Sequence, residues 1–243
     1  MRLTRVYVEA ALTGGTRGLI SGNAANHIAR VLRLGVGDAV TLFDGRGGEY
    51  ASRIEALKKD AVEVAVGEHT AIERESKLTL TLAQGISRGE RMDLVMQKAT
   101  ELGVQRIVPL ITKRSVVRLD PGQAQKKLQH WRGIVIASCE QCGRNRLPEL
   151  AAPRDLHEFL GNDAETKATR VLLSPLGTLR IADLEPAQKL TVLIGPEGGL
   201  APEEIEGALA RGFIGVQLGP RILRTETAAI AALAALQQAF GDL

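Results

Sequence analysis

The spacing of hydrophobic residues changes character at the polar stretch Glu73–Lys77, which we predict to be a linker. Before it, short β-branched or alternating runs such as Arg5–Glu9 and Ala61–Val66 are separated by turns rich in glycine and aspartate. Alternation with a period of two is typical of strands that bury one face. One short helix is predicted at Asn23–Arg33, where apolar residues recur at helical spacing. Residues 1–72 are therefore predicted to form a small β-barrel.

From Leu78 onward, apolar strand-like runs alternate with helical stretches. Met92–Leu102 carries apolar residues on one helical face and is stopped by Gly103, and Asp120-Pro121 predicts the start of the next helix. Short apolar runs predict strands at Leu78–Ala83, Val104–Ile111, Arg170–Leu173, Leu190–Ile194 and Gly215–Leu218. Such alternation predicts an α/β domain at 73–243, with a parallel sheet covered by helices.

Composition places the chain among soluble globular proteins. Of its 243 residues, 44% are hydrophobic and 24% are charged, and no apolar run approaches the length of a membrane span. We therefore expect a cytoplasmic location and no membrane partner. The net charge is +3, and residues 1–72 carry nine Lys or Arg against eight Asp or Glu. Since neither part is strongly basic, nucleic-acid binding must come from local arginine clusters.

Metal and redox chemistry have little support in the sequence. Cys139 and Cys142 form a C-x-x-C pair, but they fall late in a predicted helix, where the helix dipole disfavours a thiolate. The four histidines are scattered, and no second cysteine pair completes a zinc site. We therefore expect no metal and interpret both cysteines as structural.

Two glycine-rich turns near the carboxyl end carry the strongest functional signal. The first turn is Gly195–Gly199 and the second is Gly219–Thr227, and each follows a short apolar strand. In open α/β sheets, ligands bind beyond the carboxyl ends of the strands. The first turn has Glu197 and no lysine, and neither turn has a phosphate-binding fingerprint. A neutral or cationic ligand fits better than a phosphate, although these residues alone also allow two simple tight turns.

The two turns belong to a series of motifs that extends almost from end to end. In chain order the motifs are His27 with Val31-Leu32-Arg33, Gly37-Asp38 with Asp44-Gly45, Gln97–Gly103, Arg114-Ser115, Glu140–Arg144, Gly195–Gly199 and Leu218–Ala228. With these motifs the chain resembles the SPOUT superfamily of RNA methyltransferases. More narrowly, it resembles the bacterial family that methylates uridine N3 in small-subunit (16S) ribosomal RNA.

The resemblance implies a fold, a cofactor and partners. It implies that residues 73–243 form a parallel sheet tied in a deep trefoil knot, and that residues 1–72 form a PUA-like RNA-binding barrel. It also implies a homodimer that acts on 16S ribosomal RNA or the small ribosomal subunit. S-adenosylmethionine should sit in the knot. The residues implied to hold this cofactor are Leu173, Ser174, Gly195, Pro196, Glu197, Gly198, Gly199, Leu218, Gly219, Ile222, Leu223 and Arg224.

Two positions depart from the pattern of this family. Ala201 stands where the family often has serine or threonine as a helix cap, so the cap is expected to come from elsewhere or to be weak. Cys139 stands where a small residue such as alanine is expected, which makes the C-x-x-C pair incidental. Neither position lies in the cofactor turns.

Methylation of uracil N3 requires removal of the N3 proton, and several residues are candidates for this step. Glu197 and Glu226 are candidate general bases, with Glu140 further back, and each also has an ordinary structural interpretation. Arg224 and Arg144 are candidates for stabilising charge on the uracil oxygens or for holding a phosphate. Solvent can take the proton instead if an arginine makes N3 acidic enough. The sequence leaves these alternatives open.

Local cationic side chains are the candidates for RNA binding. The predicted RNA contacts are Arg2, Arg5, His27, Arg30 and Arg33 in the barrel and Arg88, Lys98, Arg114 and Arg144 in the larger domain.

Two alternatives to the uridine-N3 methyltransferase stay open. One is a SPOUT methyltransferase for another RNA, such as transfer RNA. The other is a non-enzymatic RNA-binding protein of ribosome assembly.

Overall fold

The computed structural model describes residues 4–115, 120–161 and 168–243. The chain divides into two compact units, each with a hydrophobic core of its own. The first unit comprises the residues up to Glu75 together with Cys139–Leu147, and the rest of the chain forms the second unit. The first unit is therefore assembled from two separate pieces of chain.

A six-stranded sheet forms most of the first unit. Its strands are β1 (Arg5–Tyr7), β2 (Arg17–Ser21), β3 (Ala39–Phe43), β4 (Glu49–Leu57), β5 (Ala61–Ala65) and β6 (His69–Thr70). Their order is β1-β3-β4-β5-β2, with β6 beside β4, and the β1–β3 pair is parallel while the others are antiparallel. Val62 and Val64 face the core because residues two apart in a strand share a face. The prediction of a β-rich first domain is confirmed.

The helix predicted at Asn23–Arg33 is only partly α-helical. The helix α1 (Gly22–Asn26) passes into a π-helical turn at His27–Val31, where the Leu32 N–H donates to the His27 carbonyl oxygen. Arg33 then has a φ of 54°, and no other non-glycine residue in the described ranges has a positive φ. The predicted helix is present at residues 22–31, but hydrophobic spacing does not reveal its widened second half. Turns of this kind are frequent at functional sites.

A seven-stranded sheet forms the centre of the second unit. Its strands are β7 (Thr79–Gly85), β8 (Arg106–Ile111), β9 (Glu149–Leu150), β10 (Arg154–Asp155), β11 (Thr169–Leu173), β12 (Lys189–Ile194) and β13 (Ile214–Val216). Their order is β10-β8-β7-β12-β11-β13, with β9 beside β8, and the described pairings are parallel. The predicted parallel α/β sheet is confirmed, while the knot stays a prediction.

Helices pack on both faces of this sheet. They are α2 (Glu90–Glu101), α3 (Pro121–Cys142), α4 (Leu156–Leu160), α5 (Pro202–Ala210) and α6 (Thr225–Phe240). The predicted start of α3 is confirmed, because Asp120 Oδ1 accepts a hydrogen bond from the Gln123 N–H at 2.8 Å. Among the described helices, none combines the length and the apolar character needed to cross a membrane.

Candidate functional site

A cavity of about 620 Å³ opens beyond the carboxyl ends of β11, β12 and β13 in the second unit. Both glycine turns and the residues after β11 form its wall, and its volume is typical of a small-molecule site. The wall includes all the residues predicted to hold a cofactor: Leu173, Ser174, Gly195, Pro196, Glu197, Gly198, Gly199, Leu218, Gly219, Ile222, Leu223 and Arg224. The structure brings these residues together around one space, and their role in binding stays a prediction.

Glycine is required both in the first turn and beneath it. A Cβ on Gly195 would lie 2.9 Å from the Gly199 carbonyl carbon and 3.0 Å from the Leu200 nitrogen. A Cβ on Gly85, at the end of β7, would lie 2.4 Å from the Pro196 nitrogen. Gly199 also has a φ of +68°, which side chains disfavour. The backbone of the first turn therefore packs directly on the sheet, and the sequence analysis missed Gly85.

Gln84, a fully buried residue of β7, connects the first turn with the start of α6. Its Nε2 donates to Thr225 Oγ1 at 3.0 Å and to the Gly195 carbonyl oxygen at 3.3 Å. The Thr225 hydroxyl donates to the same carbonyl at 2.7 Å. If the Gln84 amide were flipped, its Oε1 would face the Gly195 carbonyl oxygen, and two acceptors cannot form a hydrogen bond. These partners therefore fix the orientation of the amide. The sequence analysis did not identify Gln84, whose only signal is a polar residue in an apolar strand.

Two carboxylates and one arginine share the cavity wall beside the first turn. Glu197 Oε1 accepts hydrogen bonds from the Arg88 backbone N–H and from Arg91 Nη1, both at 2.9 Å. Arg91 Nε also lies 3.9 Å from Glu226 Oε1. Arg91 therefore neutralises part of the charge of both carboxylates. The sequence analysis missed Arg91, because it stands at the start of α2 with no recognisable motif around it.

The two carboxylates differ in what surrounds them. Partial burial raises the pKa of Glu197, but hydrogen bonds from the Arg88 and Glu197 backbone N–H groups and from Arg91 outweigh it and hold the pKa below its usual value. The Glu197 carboxylate is therefore a weak proton acceptor. Glu226 Oε2, in contrast, is buried and has no hydrogen-bond partner among the described residues.

The N-cap residue of α5, Ala201, makes no side-chain cap hydrogen bond, but its own N–H is held by a glutamate. Glu204 Oε2 accepts a hydrogen bond from the Ala201 N–H at 2.7 Å, and Glu204 Oε1 accepts one from the Lys113 N–H at 2.8 Å. Lys113 Nζ also lies 2.6 Å from Glu203 Oε1. Of the two expectations, a cap from elsewhere or a weak cap, the absence of a side-chain cap agrees with the weak cap, and Glu204 holds α5 where it leaves the first turn.

Arg144 and Arg5 lie in a polar cluster of the first unit. Arg144 is only 3% exposed, and its Nη2 lies 2.6 Å from Glu75 Oε2. Arg5 pairs with Glu49 and donates to Asn145 Oδ1. A buried guanidinium bound to a carboxylate is not available to a phosphate or a base. These contacts argue against Arg5 as an RNA contact and against Arg144 as an RNA contact and catalytic residue, roles that stay predictions, and both side chains hold Cys139–Leu147 on the barrel.

Glu140 belongs to the same cluster in the first unit. Its Oε1 accepts a hydrogen bond from the Tyr7 N–H at 3.0 Å, and its Oε2 lies 3.8 Å from His27 Nε2. Burial raises the pKa of Glu140 against the opposing effects of the Tyr7 N–H, His27 and Arg5. Because Glu140 faces these partners, we interpret it as structural. His27, a predicted RNA contact, keeps about a third of its side chain exposed, at 34%.

The other predicted RNA contacts differ in their availability. Four of them are exposed, namely Arg30, Arg33, Arg88 and Arg114. Lys98 is less available, because its Nζ lies 2.8 Å from Glu101 Oε2. Arg2 lies outside the described residues. Arg224 is exposed on the cavity wall, where Arg221 is a further exposed cation that the sequence analysis did not name.

The cysteines and the acidic residues form no metal site in the described ranges. No group of three or more His, Cys, Asp or Glu residues is placed there to hold a metal ion. Burial raises the pKa of Cys139 to about 12, although the nearby Arg144 lowers it. Its thiol therefore stays protonated and unreactive, in agreement with the structural interpretation.

Comparisons with known proteins identify relatives over the whole chain. Residues 74–237 match the RNA methyltransferase domain family, and residues 20–67 match the RNA methyltransferase PUA domain. The chain is 37% identical to the Ribosomal RNA small subunit methyltransferase E of Buchnera aphidicola subsp. Schizaphis graminum, with 100% of this chain and 98% of the relative covered. The protein of the same name from Bacillus subtilis is 31% identical, with 97% and 94% covered.

Solved structures give the same result for the fold. The Ribosomal RNA small subunit methyltransferase E from Neisseria gonorrhoeae, crystallised with S-adenosyl methionine, matches with a TM-score of 0.92 and 37% identity, and both chains are covered by 100%. A Legionella pneumophila protein solved in complex with the bound cofactor SAM matches with a TM-score of 0.96 and 43% identity, again with 100% of both chains covered. These matches confirm the α/β class and the PUA-like first domain.

Proposed function

We propose that this chain, which belongs to the ribosomal RNA small subunit methyltransferase E family, methylates N3 of one uridine in 16S ribosomal RNA. Membership of the family makes the chain a ribosomal RNA methyltransferase. The choice of a uridine and of its N3 atom is what the proposal adds to family membership. The observation that carries it is the cavity of about 620 Å³ walled by both glycine turns.

The residues of the cavity wall fit S-adenosylmethionine as the methyl donor. When bound, this molecule supplies an electrophilic methyl group on a positively charged sulfonium. Backbone groups of Gly195–Gly199 and Leu218–Leu223 would hold its neutral parts, since glycine allows a close approach. Glu197 and Glu226 add negative charge to the wall, which favours a cationic ligand. Related structures solved with this molecule support the same site.

The substrate side of the cavity must admit an unpaired base. N3 of uracil lies on the base-pairing edge, so the target uridine has to be unpaired and turned into the cavity. Arg114, Arg221 and Arg224 are exposed on the wall, where they can contact phosphates. In the first unit, Arg30 and Arg33 offer further exposed charge beside the π-helical turn. The wall thus carries exposed arginines together with the two glycine turns.

A homodimer formed through the second unit is part of the proposal. Leu176 and Ile222 line the cavity and are 86% and 85% exposed, which is high for large apolar side chains. Burial of such residues against a second copy of the chain would remove this apolar surface from water. Sedimentation velocity at micromolar concentration tests the dimer, and a monomeric mass throughout would contradict it.

Nucleoside mapping tests the reaction and the substrate together. Ribosomal RNA from cells with and without this protein is digested and analysed by mass spectrometry. We expect N3-methyluridine at one position of 16S ribosomal RNA to disappear without the protein and to return when it is supplied again. An unchanged map, or loss of a methyl group from transfer RNA, would favour another substrate. Absence of S-adenosylmethionine binding at millimolar concentration, measured by calorimetry, would favour a non-enzymatic role.

A further inference from the structure

We propose that Glu226 is the general base that removes the N3 proton of the target uridine. The proposal rests on the proposed function and names the side chain that performs its proton transfer. Three carboxylates are candidates from the sequence: Glu140, Glu197 and Glu226. The structure distinguishes among them by their partners.

Two of the candidates already accept hydrogen bonds from other groups of the protein. Glu140 accepts a hydrogen bond from the Tyr7 N–H and faces His27 within the first unit. Glu197 lines the cavity, but one of its oxygens accepts hydrogen bonds from both the Arg88 N–H and Arg91. A carboxylate held by a guanidinium and a backbone N–H is stabilised in its ionised form and binds a proton less readily.

Glu226 has the unused acceptor. Its side chain is only 13% exposed, and its Oε2 is buried without a donor in the part of the chain that the structure describes. Leaving a buried carboxylate oxygen unpaired is costly, so a donor from a bound ligand would stabilise the site. Thr225 precedes Glu226 and is fixed by hydrogen bonds to Gln84 and Gly195, which holds the start of α6 in place.

Two ligands could supply the missing donor, namely uracil through N3–H and S-adenosylmethionine through its ammonium group. Of the arginines on the cavity wall, Arg91 has its Nε 3.9 Å from Glu226 Oε1. Because Glu226 already faces this cation, the neutral N3–H of uracil fits the carboxylate better than the ammonium group does.

Proton removal and methyl transfer take place at the same atom, N3 of the uracil. Glu226 Oε2 accepts the proton as the N3–H bond breaks, and the nitrogen electron pair forms the new bond to the methyl carbon. The methyl–sulfur bonding pair remains on sulfur, which leaves as a neutral thioether. The proton then passes from Glu226 to solvent when the product leaves. The step needs no oxidant, no reductant and no metal ion.

The test compares the wild type with Glu226→Gln in single-turnover reactions at saturating cofactor and RNA. We expect the rate to fall by about 100- to 10,000-fold, which is the usual contribution of a general base. Affinities for S-adenosylmethionine and for RNA should change by less than about threefold, because the amide keeps the shape of the side chain. Glu206→Gln removes an exposed carboxylate from α5, outside the cavity wall, and should leave the rate unchanged.

A second measurement separates proton transfer from a structural defect. RNA with 5-fluorouridine at the target position has a more acidic N3 proton, because fluorine withdraws electrons. Glu226→Gln should regain far more of its rate on this RNA than the wild type gains, whereas a merely distorted site would not respond. Glu226→Asp, which keeps a shortened carboxylate, should retain part of the rate.

The outcomes distinguish this inference from the proposed function. A Glu226→Gln rate within about threefold of the wild type overturns the role of Glu226 alone, provided that the wild type produces N3-methyluridine. A loss of cofactor affinity that explains the whole rate decrease also overturns it, since Glu226 would then hold the ammonium group. If the wild type produces no N3-methyluridine, the proposed function and the inference both fail.

Discussion

Single atoms decide how closely the first turn approaches the sheet. A Cβ on Gly85 would lie 2.4 Å from the Pro196 nitrogen and 2.8 Å from the Gly195 carbonyl carbon. Both contacts are with backbone, which cannot rotate away as a long side chain can. The contact joins residues far apart in the sequence, so no local pattern around Gly85 predicts it. Residues of this kind position the site without forming its wall.

Gly85→Ala should therefore displace the first turn. We expect the affinity for S-adenosylmethionine to fall by at least about tenfold, and the free energy of unfolding to fall by about 1–3 kcal/mol. Calorimetry and denaturant unfolding measure these two quantities. Gly133→Ala is the matched control, because a Cβ at that position in α3 meets nothing within 4 Å. It should raise stability by up to about 1 kcal/mol and leave affinity unchanged. Undiminished affinity in Gly85→Ala would show that the turn tolerates the contact.

Among the elements, the segment Cys139–Leu147 is held on the barrel by charged and polar contacts. Arg5 pairs with Glu49 and donates to Asn145, while its guanidinium lies 4.9 Å from the centre of the Phe43 ring. Burial raises the pKa of Glu49, but the hydrogen bonds from Arg5 and Asn145 and the charges of Arg5 and Arg74 outweigh it, so the pKa lies below its usual 4.5. The ionised carboxylate therefore stabilises this unit.

The stability contributed by Glu49 should depend on pH in a defined direction. A carboxyl with a lowered pKa in the folded state contributes stability above pH 4.5 that disappears as the pH falls through the folded value. Glu49→Gln should lower the free energy of unfolding by about 2 kcal/mol near neutral pH, and by progressively less below pH 4.5. Glu55→Gln, at an exposed pair with Arg17, should cost less than about 0.5 kcal/mol. Denaturant unfolding over a pH series measures the free energy of unfolding of both variants. If the difference between the wild type and Glu49→Gln did not vary with pH, the stabilisation by Glu49 would not be ionic.

Sequence patterns predict the helices and strands whose apolar residues recur at a regular spacing. They fail for features that depend on contacts between residues far apart in the chain. Hydrophobic spacing predicts α2 well because one helical face is buried along its whole length. The strands β9 and β10 have two residues each, too few for any periodicity to appear. The glycine turns were predictable because their backbone chemistry is local. Gln84 and Arg91 were not, because only the folded chain brings their partners to them. The burial of Arg144 was not predictable either, because charged residues are rarely buried.

For the whole molecule, RNA binding must rely on a few exposed cations, since the net charge is only +3. Arg30→Gln combined with Arg33→Gln should weaken RNA binding and reduce the slope of log affinity against log salt by about 1 to 2. S-adenosylmethionine affinity should not change, because neither residue lines the cavity. Lys59→Gln removes an exposed charge between β4 and β5 and is the control. Filter binding at several salt concentrations measures the slope, and an unaltered slope would contradict an RNA contact at this turn.

The two-piece construction of the first unit has a consequence for how the protein is made. Residues up to Glu75 leave the ribosome well before Cys139–Leu147, yet both pieces belong to one compact unit. Until the later piece emerges, Glu75 lacks Arg144 and Arg5 lacks Asn145. Because these contacts form only when both pieces are present, we expect the barrel to reach its final state only after Leu147 has been synthesised. The order of translation therefore delays maturation of the barrel until much of the methyltransferase domain exists.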